Sequence, residues 1–187
     1  MEGDNSAIEL DVSHIVEVLN RYEVDYVVIG GVAAKAWASS VGVHIRPTLD
    51  IDVTPDTTRE NLERLSAALK ELGARVRTDA EPDGLVFADD GDSLGRARIW
   101  NLVCPAGPFD LSFVPSGTDG YSDLVKHARV VVVGGLETPL AELADIVRSK
   151  RATNRPKDLE VLPALEEALR RRNAAPAPTD STSSRSE

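Results

Sequence analysis

Apolar positions along the chain switch repeatedly between helical spacing and alternation, and this predicts a mixed α/β protein. Across residues 8–22, Ile15, Val18 and Leu19 recur at helical spacing behind Asp11 or Ser13 as N-cap, giving a first helix. Residues 25–29 are a short, largely β-branched run that stops at Gly30-Gly31, the pattern of a buried strand. An alanine-rich helix over 32–39 carries Trp37, and residues 49–53 alternate as a strand with Asp50 and Asp52 on one face. Residues 57–72 form an amphipathic helix capped by Thr57 or Thr58 and closed by Gly73. The middle reads as strands over 75–77, 85–88, 98–104 and 109–114, separated by turn-forming clusters rich in Gly, Pro and Asp. Residues 130–133 and 136–138 flank Gly134-Gly135 as a hairpin. Helices over 140–153 and 156–172 follow, the second opening on Pro156. The expected organisation is a core over 1–138, a C-terminal helical segment over 139–172, and a disordered Ala/Pro/Ser/Thr-rich tail over 173–187.

Composition narrows the function classes. A chain of 187 residues suits one main domain with an ordinary core. Its one cysteine, Cys104, excludes an internal disulfide framework and reads as a small core residue. The acidic start Met1-Glu2-Gly3-Asp4 is unlike a secretory signal, and no apolar run is long enough to span a bilayer, so the expectation is a cytoplasmic protein. A net charge of -10 argues against a protein that coats nucleic acid or anionic membrane. The charge is uneven, however: residues 148–172 carry eight basic and four acidic side chains.

The chemistry concentrates in Val27-Val28-Ile29-Gly30-Gly31 and Arg46-Pro47-Thr48-Leu49-Asp50-Ile51-Asp52-Val53. Two carboxylates side by side on an apolar strand repel each other and call for a cation. Mg²⁺, or Mn²⁺ in its place, suits carboxylate oxygens combined with substrate phosphates. Glycines between a strand and a helix N-terminus let a phosphate reach bare amides. A nucleoside triphosphate bridged by metal to Asp50 and Asp52 is the ligand this pattern fits, against the plainer reading of an acidic strand edge beside a helix cap.

Gly30-Gly31, an 18-residue gap and Asp50-Ile51-Asp52 resemble the signature of the polymerase-β-like nucleotidyltransferase superfamily. Arg46-Pro47-Thr48-Leu49-Asp50-Ile51-Asp52 is similar to its AbiEii/MenT branch of bacterial toxin–antitoxin toxins, as is Ser149-Lys150-Arg151-Ala152-Thr153-Asn154-Arg155-Pro156-Lys157-Asp158 further on. The resemblance implies a mixed sheet with flanking helices. It implies that Gly30, Gly31, Thr48 and Lys150 hold the nucleotide, that Asp50 and Asp52 bind metal, and that Asp158 is a last essential acid. The superfamily's third carboxylate, a metal ligand and base, falls best on Asp110 in Phe109-Asp110-Leu111-Ser112-Phe113, which as a strand-end acid could instead pair with an arginine.

The function expected from the resemblance is metal-dependent transfer of a nucleoside monophosphate from an NTP to the 3′ end of tRNA, with an antitoxin as partner. Transfer to a small-molecule hydroxyl, as in antibiotic-modifying relatives, is the alternative, and a nucleotide-binding module without activity is the third reading. The acidity favours the small molecule and the basic 148–172 segment favours RNA. His14, His44 and His127 lack ligand spacing, Trp37 and Trp100 read as core packing, and Arg170-Arg171-Arg172 reads as a helix C-terminus.

Overall fold

The run Tyr26–Ile29 forms β1, buried because its β-branched and aromatic side chains are covered on both faces. The computed structural model describes residues 10–174, in which helix α1 (Val12–Arg21) precedes β1 and α2 (Gly30–Ser40) follows it directly. Then come β2 (Ile51–Pro55), α3 (Arg59–Leu72), β3 (Arg75–Val76), the short α4 (Gly91–Leu94), β4 (Ile99–Cys104) and β5 (Gly107–Ser112). The chain ends through the short α5 (Tyr121–Leu124), β6 (Arg129–Val133), β7 (Leu136–Leu140), α6 (Leu143–Thr153) and α7 (Pro156–Ala174). The strands make one mixed sheet in the order β3-β4-β5-β2-β1-β7-β6. This is the expected mixed α/β fold with flanking helices and a C-terminal helical pair.

Register matters more than order here. Strand β2 runs antiparallel to β1 with Ile29 opposite Asp52, and parallel to β5 with Asp52 beside Asp110. Strand β4 then places Asn101 opposite Asp110. Side-chain alternation sends Ile51, Val53, Phe109 and Leu111 into the core, and therefore sends Asp52 and Asp110 to the other face. Strand β7 lies parallel to β1, and Ala141 N–H donates to Val28 O at 2.9 Å, which delivers α6 beside α2.

The far end of the β1–β2 pair is clamped by Asn61 of α3, a fully buried polar side chain. Its amide accepts from Asp25 N–H at 2.7 Å and donates to Asp25 O and Asp56 O at 2.9 and 2.8 Å. Because Asp25 precedes β1 and Asp56 follows β2, this one side chain pins the register that aligns Ile29 with Asp52.

Several boundaries differ from expectation for local reasons. Asp11 is the cap of α1, accepting from His14 N–H at 2.9 Å, while residues 8 and 9 of the expected first helix lie outside the described residues. Strand β2 begins at Ile51, so Asp50 stands in a bend just before the strand. The expected strand over 85–88 is reduced to a single bridge, Val76 to Leu85, because Leu85 and Val86 face solvent and no further strand covers them. The Asp89-Asp90-Gly91-Asp92 cluster is a turn that also starts α4, Asp90 capping it through Ser93 N–H at 2.9 Å. In the β6–β7 hairpin Gly134 and Gly135 both have positive φ, 59° and 87°, as a type I′ turn requires. Helix α7 runs to Ala174, two residues past the expected end, so Asn173 and Ala174 are helical; the remainder of the expected tail, 175–187, lies outside the described residues. No helix among the described residues is long and apolar enough to cross a membrane.

Replacing Asn61 with alanine removes the partner of the Asp25 amide and of two carbonyls and leaves a gap where a fully buried side chain stood. Loss of roughly 2–4 kcal/mol of stability is expected, read as a lower urea midpoint with an unchanged m-value.

Candidate active site

Helix α2 starts directly where β1 ends. Gly30 follows β1 with φ +62° and no side chain caps the helix, so the first amides of α2 stand open. A Cβ on Gly30 would fall inside the Asp52 carboxylate, and one on Gly31 would lie 2.5 Å from Thr48 Oγ1. The two glycines therefore let Asp52 and Thr48 close against the start of α2, beside open amides of the kind that bind phosphate. Thr48 Oγ1 donates to Asp50 Oδ1 at 2.8 Å, so Thr48 orients Asp50 at the same time as it borders the cradle.

Gly30, Gly31, Thr48, Asp50, Asp52, Asp110, Lys150 and Asp158 all line one cavity of about 490 Å³. Every candidate site residue from the sequence is thus brought together, but not in one role. Burial, with Asp50 and Asp110 close by, pushes the Asp52 carboxyl up to about 6. Asp110 is raised as well, its burial outweighing the opposing guanidinium of Arg77. Arg77 donates to Asp110 Oδ1 at 2.7 Å, and the Leu102 N–H reaches the same oxygen at 3.3 Å. The arginine partner foreseen for Asp110 is therefore present, on the side facing β3.

Asp158 does not join the other carboxylates. It is 2% exposed, and it accepts from Lys150 Nζ at 2.9 Å and from Arg155 Nε at 2.7 Å. Burial pushes its carboxyl up, but these two cations outweigh that and hold it below the usual carboxylate range. Asn154, in the left-handed conformation at the end of α6, turns the chain so that Lys150 and Asp158 meet across the helix junction. Lys150 is only 16% exposed, unlike a solvated helix terminus.

The remaining sequence assignments fall outside the site or behind it. Cys104 is buried and free. Trp37 Nε1 donates to Ala141 O at 2.7 Å and Trp100 Nε1 to Leu94 O at 3.1 Å, so both rings pack the structure. Arg170 and Arg171 pair with Glu167, whereas Arg172 stacks 4.1 Å from the Trp37 ring and pairs with Glu142. His14 and His127 lie within 4.0 and 3.4 Å of Glu17 and Asp145, in pairs rather than ligand sets. Sequence reading missed Arg77, Asn101 and Arg155. The first two reach the cavity side of the sheet only through β3–β4–β5 pairing, which no short motif encodes.

The donor set bears on a metal. Among the described residues no three acidic, histidine or cysteine side chains close a coordination shell by themselves. Asp50 and Asp52 nonetheless present hard oxygens to the cavity beside the phosphate cradle, the incomplete shell that Mg²⁺ fills with phosphates and water.

Two outcomes follow. The folded state disfavours ionised Asp52, so its contribution is neutral below about pH 4 and grows unfavourable until about pH 6. Asp52→Asn is therefore expected to match the parent in thermal stability at pH 3.5 and to exceed it by about 2–3 kcal/mol at pH 7.5 without divalent metal, checked by denaturation at both pH values. Gly30→Ala is expected to leave the circular-dichroism spectrum intact while nucleotide binding, measured by calorimetry, falls at least about tenfold, since the added methyl displaces Asp52 and strains the positive φ.

Residues 11–103 match the model of the family described as Aminoglycoside-2''-adenylyltransferase, a span that includes Gly30, Gly31, Asp50 and Asp52 and stops before Asp110 and Lys150. No individual curated protein matches the chain. Among solved structures, the lincosamide antibiotic adenylyltransferase LnuA with lincomycin bound has a TM-score of 0.57 and 12% identity, covering 86% of this chain and 99% of that one. ANT(2'')-Ia in complex with adenylyl-2''-tobramycin has a TM-score of 0.49 and 16% identity, covering 86% and 91%. A Thermotoga maritima protein described as a nucleotidyltransferase has a TM-score of 0.46 and 18% identity, covering 84% and 89%. The family match lies over the segment that carries the glycine pair and both motif aspartates, the fold is shared with an adenylyltransferase over 86% of the chain, and together these findings support a nucleotidyltransferase enzyme.

Proposed function

We propose that the protein transfers a nucleoside monophosphate, adenylate first among them, from an NTP to a hydroxyl of a small molecule. The observation that carries the reading is the register that sets Asp52 between the Gly30 cradle and Asp110 inside one cavity. The adenylyl donor and the small acceptor are supported by the family match over residues 11–103. The AbiEii/MenT assignment, a tRNA acceptor and an antitoxin partner find no counterpart among the matched proteins, so the small-molecule reading takes precedence over them. The acids in place also favour transfer over an inactive binding module.

Nucleotidyltransferases of this kind use an NTP with a divalent metal, and Asp50 and Asp52 are the residues that would hold the metal, Mg²⁺ by our reading. A metal held there would offset phosphate charge and polarise the α-phosphoryl group. The open amides of Gly30 and Gly31 bind the triphosphate at the N-terminus of α2. Lys150 places a point charge on a non-bridging oxygen. Asp158, shut away from the cavity's other acids, positions Lys150 and does not act on substrate. Asp110 has Oδ1 fixed by Arg77 and Leu102, and its carboxylate receives the proton of the attacking hydroxyl. Residues 139–172 thus complete the site that the core over 1–138 begins.

The test is incubation with Mg²⁺, each α-³²P-labelled NTP, and tobramycin, lincomycin or total tRNA. Label on a small molecule is expected, ATP being the best donor; label on tRNA alone would contradict the reading. Asp50→Ala, at a position just outside the strand, is expected to lower kcat/KM by about 100-fold or more, and full activity in that variant would remove Asp50 from the site.

A further inference from the structure

The part of the cavity beyond Asp110 has a chemistry of its own, and what it implies rests on the small-molecule transfer proposed above. Strand order puts the glycine cradle, at the end of β1, on one side of Asp52, and β5 and β4 on the other. A triphosphate held at Gly30 and Gly31 keeps its leaving pyrophosphate there, so a hydroxyl attacking in line arrives from the β5–β4 side. Neighbouring strands lie about 4.8 Å apart, which sets Asn101 of β4 two strands, or roughly 10 Å, from Asp52.

The cavity lining on that side includes Ile99, Asn101, Ser112, Val114 and Pro115, continued by the hydroxyl residues Ser116 and Thr118. Ile99 is 58% exposed and Val114 41% exposed, and Leu49 at the cavity rim is 82% exposed. These are apolar surfaces open to solvent at the mouth of a reactive site, with an amide and a hydroxyl between them. None of them carries charge. Of the cavity's acids besides Asp50 and Asp52, Asp110 is already paired with Arg77, itself tethered by its Nε to Leu102 O at 3.0 Å, Asp145 is paired with Arg148 at 3.0 Å, and Asp158 with Lys150 and Arg155. The cavity's cations Lys150, Arg155 and Lys157 belong to α6 and α7 and to the loop between them, leaving only Arg46 of the loop that precedes Leu49. A polycationic acceptor finds no unpaired carboxylate here, and burying its amines unpaired is costly. On the β5–β4 side a nucleic-acid strand finds no row of cations for its phosphates.

We propose that the acceptor is a hydroxylated small molecule with an apolar face and at most one positive charge, seated on Ile99, Asn101, Ser112 and Val114, and that Arg77 enforces this choice by occupying Asp110. The apolar face packs on Ile99 and Val114, Asn101 and Ser112 take its polar edge, and the reacting hydroxyl lies toward Asp110. The bond formed joins the acceptor oxygen to the α-phosphorus, the bond to pyrophosphate breaks, and the hydroxyl proton passes to Asp110.

The experiment offers the full-length protein, with Mg²⁺ and α-³²P ATP, a series of hydroxylated glycosides of similar size carrying no, one, or several protonated amines at neutral pH, with total tRNA alongside. Label confined to the neutral and singly charged compounds is expected. Label on the multiply charged compounds or on tRNA overturns the proposal and leaves nucleotidyl transfer standing. Label on nothing also overturns it, and calorimetry with Mg²⁺ and ATP then shows whether the nucleotide site fails too. Two variants read the surface itself. Ile99→Asp, at an exposed position, is expected to raise KM for the best acceptor about tenfold while KM for ATP stays constant. Arg77→Leu is expected to raise kcat/KM for multiply charged acceptors at least about fivefold by freeing Asp110. Acceptor preference unchanged in both variants overturns the placement.

Discussion

Asp52 is desolvated with Asp50 before it and Asp110 beside it, a contact the folded chain would avoid if stability alone were selected. Much of the structure can be understood as holding that contact in place. The core packs Ile51, Val53, Phe109 and Leu111 on one face, which commits the intervening acids to the other. Asn61 pins the opposite end of the β1–β2 pair, so the acids cannot escape by a shift of register. Arg77 pairs with Oδ1 of Asp110, and the remaining charge is left for a cation and phosphates to neutralise.

A second arrangement answers the same problem from the C-terminal side. Lys150 could fold back onto solvent, but Asp158, itself held by Arg155, fixes it in a nearly closed junction between α6 and α7. A buried pair of this sort is weak evidence for stability and better evidence for orientation, since leaving Lys150 without its partner would strand a charge. The net charge of -10 consequently says little about the site, where local pairs decide which ligand is tolerated.

Local patterns made much of this legible. The β-branched run at Tyr26–Ile29, the Gly30-Gly31 break and the alternation at Asp50 and Asp52 each depend on neighbours in sequence, and the fold and the cavity wall they build follow from them. Lys150 and Asp158 were visible as a motif, yet their direct contact depends on the left-handed turn at Asn154, which makes Asp158 a holder of the lysine. Asp110 could be nominated as an acid among apolar neighbours, but its pairing with Arg77 depends on three strands meeting. Ile99 and Asn101 carried no signal at all, because a hydrophobic or amide residue on a strand reads the same whether it faces a core, solvent or a ligand. The finer branch of the superfamily was the part the motifs read differently from the comparisons: short signatures around metal and phosphate are shared by enzymes with different acceptors.

The central claim is that the acids aligned by β1, β2 and β5 hold a metal-bound nucleotide against the α2 glycines. A crystal soaked with Mn²⁺ and a non-hydrolysable ATP analogue, measured at the manganese absorption edge, tests it directly. The account predicts an anomalous peak between the carboxylates of Asp50 and Asp52, with the triphosphate on the amides of Gly30 and Gly31. Manganese bound elsewhere, or a nucleotide seated away from those amides, would contradict it.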